Sequence, residues 1–328
     1  MDIIGATRVK DLELSDLYLG LPTVESKFST APGSAVSAIP RHPALHEDLD
    51  RLFALCNETL AKAPGCPAFK VRHDAVTYRG VAIPTGTGTV FLLRRLADAV
   101  RSLAEIGIPP AYARRMSAKY LSGLFIVCGA SRSGRTTTAC AMLKERLLSY
   151  GGLGITGEDP IELPLEGSHA NGVCYQTALS RDPHRFGSAF SSLLRCGADT
   201  ILIDEVCTAE AAAAVLQAST GGQLVIVTMQ AENVVQCLIR LHAMASEKLV
   251  PDNARALLAE GLAGVLHQQM SLVVKSKIKL ESELLFPGDA PTPRTLLRKG
   301  EYEQLGAVMR QQMATIIAEN TALRVGAA

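Results

Sequence analysis

Between Leu124 and Tyr150 the chain reads Leu-Phe-Ile-Val-Cys, then Gly-Ala-Ser-Arg-Ser-Gly-Arg-Thr, then a run with helical spacing. An apolar strand thus enters a loop bracketed by Gly129 and Gly134, and the loop opens a helix. Glycine permits backbone angles and close approaches that a side chain blocks. The backbone N–H groups of Ala130, Ser131, Arg132 and Ser133 can then point into the loop, beside the positive end of the helix dipole. That geometry holds a phosphate chain. The P-loop pattern places Gly, four residues, Gly-Lys and then Ser or Thr in this layout. Here Arg135 stands where the lysine would be, and Thr136, followed by Thr137, supplies the hydroxyl.

Two further groups carry chemistry. Ala198-Asp-Thr-Ile-Leu-Ile-Asp-Glu-Val is an apolar strand ending in Asp204 and Glu205, a Walker-B pattern. One such carboxylate can hold a metal, often through water, and the next can polarise a nucleophilic water. Gly157-Glu-Asp-Pro also follows a strand, and Glu158 offers a second carboxylate for a metal or water shell. In parallel sheets ligands gather at the carboxyl ends of strands, which is where all three groups fall. Each group also has a plainer reading. A glycine-rich strand-to-helix turn is ordinary in α/β proteins, Asp-Glu after a strand is often a helix cap, and Glu-Asp-Pro suits a simple turn.

The elements needed to place these groups can be read from hydrophobic spacing. The strands Leu124–Cys128, Leu153–Thr156, Thr200–Ile203, Leu224–Thr228 and Leu272–Lys275 are nearly continuous apolar runs, as expected of strands covered on both faces. Helices are expected over 136–149, 186–195, 209–218, 234–245 and 254–270, and two or three more over 291–328. Alternation of this kind predicts an α/β fold, a parallel sheet wrapped by helices. Before it, 9–19 alternates like a half-buried strand, Leu45–Lys62 reads as a helix, and 69–72, 76–83 and 90–96 read as a strand meander. This gives an α+β domain over 1–105, a linker and lead-in helix over 106–120, the α/β domain over 121–285 and a C-terminal helical segment over 286–328. His42 and His46 lie four apart, but Pro43 between them favours a solvated entry loop over a metal pair.

Of the 328 residues 48% are hydrophobic, enough for a sizeable core, and 33 Lys+Arg balance 32 Asp+Glu. The balance gives no electrostatic case for nucleic acid or an anionic membrane. Eight scattered cysteines without a Cys-x-x-Cys pair suggest free thiols in a reducing compartment. With no long apolar span or signal pattern, a cytoplasmic protein is expected, with a peripheral seat on a membrane complex still open.

Taken together, these motifs resemble the type II/type IV secretion ATPase family, and within it the pilus-retraction motors. Leu14-Ser-Asp-Leu-Tyr-Leu is similar to the family's first N-domain strand, and Tyr78-Arg79 and Leu93-Arg94-Arg95-Leu to its N-domain arginine positions. Ile155-Thr-Gly-Glu-Asp-Pro-Ile-Glu resembles its Asp box, Asp199-Thr-Ile-Leu-Ile-Asp-Glu its Walker B, and Pro293-Arg-Thr-Leu-Leu-Arg-Lys-Gly a C-terminal helix of retraction-type members. The resemblance implies a RecA-like P-loop core, a PAS-like N-domain and a homo-hexameric ring using ATP and Mg²⁺. The ring would work at the cytoplasmic face of the inner membrane with a platform protein, and an active paralogous ATPase is a further partner to consider. It would drive a pilus or secretion system, conjugative ones included. Glu205 would activate water, Glu158 and Asp204 would support the water and metal shell, and Arg79 and Arg94 would reach phosphates.

The sequence departs from the family at several of these positions. Arg135 replaces lysine, Gln223 and Gln230 fall on the two histidines of the His box, and Cys207-Thr208 replaces an Arg-Asp. Ser191 replaces one arginine of the helix before the Walker B, although Arg195 remains. Losing one transition-state contact costs about 2.7–4 kcal/mol, so weak or lost hydrolysis is expected. The alternative is a nucleotide-binding structural subunit of such a complex. A small-molecule kinase with a P-loop fits the long N-domain and C-terminal helices less well.

Overall fold

The structure is a computed structural model that describes residues 6–21, 24–30, 34–62, 68–179, 190, 192–193, 195–273, 277–288 and 291–325. The chain divides into two units. The first comprises residues 1–99 with 162–164, and the second residues 100–161 with 165–328.

The first unit holds β1 (Asp16–Leu19), β2 (Lys27–Ser29), β3 (Ser37–Ala38), helix α1 (Pro43–Lys62), β4 (Ala68–His73), β5 (Val76–Thr85) and β6 (Gly88–Arg95). Its strands form one sheet in the order β3-β2-β1-β6-β5-β4, antiparallel throughout. Only Asp16–Leu19 of the alternating 9–19 segment is strand; Val9–Asp11 is a 3-10 turn. The turn is anchored by Asp48 of α1, which accepts a hydrogen bond from the Val9 amide at 2.9 Å and lies 2.9 Å from His73 Nε2. Leu45, Leu49, Leu52 and Cys56 of α1 are fully buried at helical spacing, in one core with Leu17, Phe28, Tyr78 and Phe91 of the sheet.

The second unit holds α2 (Pro110–Met116), β7 (Gly123–Gly129), α3 (Arg135–Tyr150), β8 (Gly152–Glu158), β9 (Gly167–His169), β10 (Gly172–Ala178) and β11 (Thr200–Asp204). There follow α4 (Ala209–Ala218), β12 (Leu224–Gln230), α5 (Val234–Ser246), α6 (Pro251–Gly261), β13 (Leu262–Val273), β14 (Lys277–Leu285), α7 (Pro291–Lys299) and α8 (Leu305–Val325). The eight strands are ordered β14-β13-β7-β12-β11-β8-β10-β9. The six inner strands are parallel, and β14 and β9 flank them antiparallel. All seven residues of β7 and the first six of β12 are buried, as a sheet covered on both faces requires. Ala139, Cys140, Met142, Leu143 and Leu147 of α3 are buried, and each large apolar side chain so covered contributes about 1.5–3 kcal/mol.

Several expectations change. Of the strand expected over Leu272–Lys275, Leu272 and Val273 end β13, and 274–275 lie outside the described residues. The helix expected over 254–270 ends at Gly261, and Leu262 starts the long strand β13. Strands β9 and β10 occupy a stretch in which none was expected, and α2 stops at Met116 rather than Tyr120. The helix expected over 186–195 falls largely outside the described residues, Ser191 included. At the amino end of the sheet the backbone is tightly packed. A Cβ on Gly123 would collide with the Gly261 carbonyl, and one on Gly261 would lie 2.5 Å from Ser219 Cβ. Among the described residues no helix is long and apolar enough to cross a membrane.

Candidate functional site

The carboxyl ends of β7, β12, β11 and β8 lie side by side. Gly129 ends β7 in register with Gln230 at the end of β12, and Asp204 ends β11 in register with Glu158 at the end of β8. Strand β12 lies between β7, which carries the loop, and β11, which carries Asp204. That insertion brings Thr228 and Gln230 to the site. The two glutamines matched to the His box lie at opposite ends of β12. Gln223 precedes β12 and Gln230 ends it, seven residues on, which is about 23 Å at strand rise.

The loop itself depends on its glycines. A Cβ on Gly129 would collide with the Gln268 carbonyl and sit 2.6 Å from Ser133 Oγ. Gly134 has φ +84°, a left-handed conformation costly for other residues, and immediately precedes α3. Arg132 also takes a positive φ, of 65°. Ser133 folds inward and is buried. The loop therefore delivers Arg135 and Thr136 at the first turn of α3, where helix N–H groups have no intrahelical acceptor.

Those two residues meet the end of β11. Arg135 Nη1 donates to Glu205 Oε1 at 2.9 Å, and Thr136 Oγ1 donates to Asp204 Oδ2 at 3.0 Å. Thr228 Oγ1 donates to the other Asp204 oxygen. The Asp204–Glu205 peptide is cis. Glu158 is fully buried, and its Oε1 accepts from Thr156 Oγ1 at 2.5 Å and from Gln176 Nε2 at 2.8 Å. Burial, and next the negative charges of Glu158 and Glu166, push the nearby Cys174 thiol up to about 12, so it stays a neutral filler. The Cys237 thiol is likewise raised well above its ordinary value by its hydrogen bond with Cys128 and by burial.

The structure thus brings Gly129, Ala130, Ser131, Arg132, Ser133, Gly134, Arg135, Thr136 and Thr137 together with Asp204, Glu205, Glu158 and Gln230. Gln230 presents an exposed side chain, while its carbonyl accepts from Arg240 Nη1 at 2.8 Å. Arg79 and Arg94 lie in the first unit and are both paired there. Arg79 Nη1 is 2.6 Å from Glu162 Oε1, and Arg94 Nε is 2.7 Å from Asp16 Oδ1. Thr208 has a structural task, since its hydroxyl caps α4 by accepting from the Ala211 amide at 3.2 Å. Sequence reasoning missed Thr156, Gln176, Thr228 and Gln268. A signal existed only for Thr156 and Thr228, the polar ends of expected apolar strands; Gln176 and Gln268 fall where no strand was expected.

Chemically, the loop offers backbone amides, a helix N-terminus and a guanidinium, a set suited to a polyphosphate. The Thr136 hydroxyl beside the Asp204 carboxylate is an all-oxygen pair suited to a hard divalent cation. Glu205, one residue on, adds a carboxylate held by Arg135.

Known proteins share this fold. The pilus retraction motor PilT, solved with bound ADP, superposes with a TM-score of 0.75 at 20% identity, covering 92% of this chain and 87% of that one. The Yersinia pseudotuberculosis ATPase DotB gives 0.72 at 19% identity, covering 92% and 83%. The fold is therefore a RecA-like core with a smaller N-terminal domain. The twitching motility protein of Neisseria gonorrhoeae is 27% identical over 244 residues, 74% of this chain and 63% of that protein. The type IV pilus assembly ATPase PilB of Thermus thermophilus is 30% identical over 296 residues, 87% of this chain but 30% of that protein. The chain thus spans less than two thirds of the length of these curated relatives. The expectation of weak or lost hydrolysis is not borne out by these matches. Residues 65–312 match the model of the type II/IV secretion system protein, and the chain belongs to that family.

Proposed function

We propose that this chain binds and hydrolyses ATP as a subunit of a ring motor that powers a type IV pilus or a type II or type IV secretion system. The observation that carries the reading is the junction of α3 with β11, where Arg135 meets Glu205 and Thr136 meets Asp204. Family membership and the fold shared with a pilus retraction motor support it.

On this reading the amides of 129–136 and the Arg135 guanidinium hold the phosphates. Thr136 and Asp204 would hold Mg²⁺, the latter through water. The fit is good: the loop glycines leave space where a Cβ would collide, and the donor set is all oxygen. Bound there, the cation would neutralise charge developing on the phosphates. Glu205 orients and deprotonates the attacking water, and Glu158, fixed by Thr156 and Gln176, supports that water's shell. Arg79 and Arg94, once released from Glu162 and Asp16, and the exposed Gln230 side chain are the further nucleotide contacts on this reading. A homo-hexamer, a platform protein in the inner membrane and a cytoplasmic, membrane-peripheral location complete the proposal, with an active paralogous ATPase as a further partner.

Steady-state phosphate release by the wild type and by Glu205→Gln tests it. The variant should lose at least a hundredfold in turnover. Equal rates in the two proteins would refute hydrolysis at this site.

A further inference from the structure

We infer that Gln268 is a positioning residue for the phosphate loop, one that aims the Gly134 amide; the inference rests on the nucleotide reading above. Strand β13 runs beyond the end of β7. The last registered pair is His267 with Cys128, so Gln268 stands beside Gly129. Its carbonyl oxygen abuts Gly129 closely enough to exclude a Cβ there. Its side chain crosses to the other end of the loop, where Nε2 donates to the Ser133 carbonyl at 2.5 Å. One residue thus touches the loop at its first and last turns.

Gln268 is 1% exposed. A buried amide is unfavourable unless it is hydrogen-bonded, and here only half of it is, since Oε1 has no hydrogen-bond partner. For packing, a leucine or methionine would serve better on this strand. The bond to Ser133 is what the glutamine supplies that they cannot.

The direction of that bond matters. In a trans peptide the C=O and the following N–H point opposite ways. Holding the Ser133 carbonyl towards β13 therefore turns the Gly134 N–H away from β13. In the strand order β13-β7-β12-β11, that is the side on which Arg135 and Thr136 meet Glu205 and Asp204. Gly134 is the loop's most mobile residue type, held at φ +84°, so its peptide needs such a restraint. Ser133 Oγ is buried without a hydrogen-bond partner, so the side chain does not itself fix this peptide.

The test uses the full chain with Gln268→Met, which keeps length and removes the donor, and Gln268→Glu, which keeps shape and replaces the donor by an acceptor. Hydrogen exchange in the absence of ligand is read on the peptide spanning 129–136, together with ADP affinity and the kcat and KM of ATP hydrolysis. Both variants should exchange at least tenfold faster in the loop, with β7 and β12 unchanged. ADP binding should weaken at least tenfold, and KM should rise about tenfold while kcat stays within threefold. Loop exchange within twofold of wild type in either folded variant overturns the inference, as does loss of folding in both. If the wild type binds no nucleotide yet the substitutions loosen the loop, the nucleotide reading fails and the clamp stands.

Discussion

Arg135 holds Glu205, and on the proposed reading it must also hold phosphate. The two demands compete, so removing the Glu205 charge should tighten nucleotide binding while it stops turnover. The size follows from the geometry. A hydrogen bond to a charged group contributes about 1.5–3 kcal/mol, and an exposed ion pair about 0–1. The Arg135 and Glu205 side chains are 13% and 24% exposed and 2.9 Å apart, between those limits. About 1.4 kcal/mol is therefore released to the guanidinium in Glu205→Gln, and that is a factor of about ten in affinity. The assay is calorimetric titration with a non-hydrolysable ATP analogue and Mg²⁺, so that blocked turnover cannot masquerade as affinity. A thermodynamic cycle with Arg135→Ala isolates the pair: in that background Glu205→Gln should change affinity by less than threefold. Unchanged or weaker binding by Glu205→Gln in the Arg135 background would sink the competition argument, because Glu205 would then be aiding the ligand rather than occupying its cation.

Gly129→Ala should lower stability by about 1–3 kcal/mol and abolish ADP binding, because the added methyl meets the Gln268 carbonyl and Ser133 Oγ; denaturant melts with a parallel titration check this. Thr208→Ala removes the cap on α4 and should cost about 1 kcal/mol, read as a melting temperature lower by about 2–4 °C, with nucleotide affinity untouched. Burial holds the His267 imidazole below its ordinary value, the nearby Glu283 opposing. The unfolded chain then takes up that proton first, so stability is full above about pH 6.5 and falls as the pH drops through that range. His267→Gln should flatten this part of the stability profile, and an unchanged slope would show that His267 is not its source.

The central elements are legible because each carries one dominant signal. Strands β7, β11 and β12 are nearly unbroken apolar runs, and the glycines at 129 and 134 bracket a loop whose backbone no other residue fits. The boundary between α6 and β13 is not legible. Ala254, Leu258, Leu262 and Leu266 recur every four residues, a helical rhythm that continues straight through the change at Gly261. All four are buried, on a helix and then on a strand covered on both faces, so burial imposes the same residue types in two geometries. The carboxylates of the site could be named from spacing, but their partners could not. Thr228, Gln176 and Gln268 reach the site from strands that only the sheet order brings near it. Arg79 and Arg94 show the converse: the resemblance assigns them to phosphates, and local carboxylates hold them in this structure.

The crowded junction of Gly123, Gly261 and Ser219 has a mechanical consequence. Gly123 rests against the Gly261 carbonyl, and Gly261 against the Ser219 side chain, so a Cβ at either glycine would have to push a strand start or a helix end aside. The spacing of β7 from the ends of α4 and α6 is thus set by two missing methyl groups.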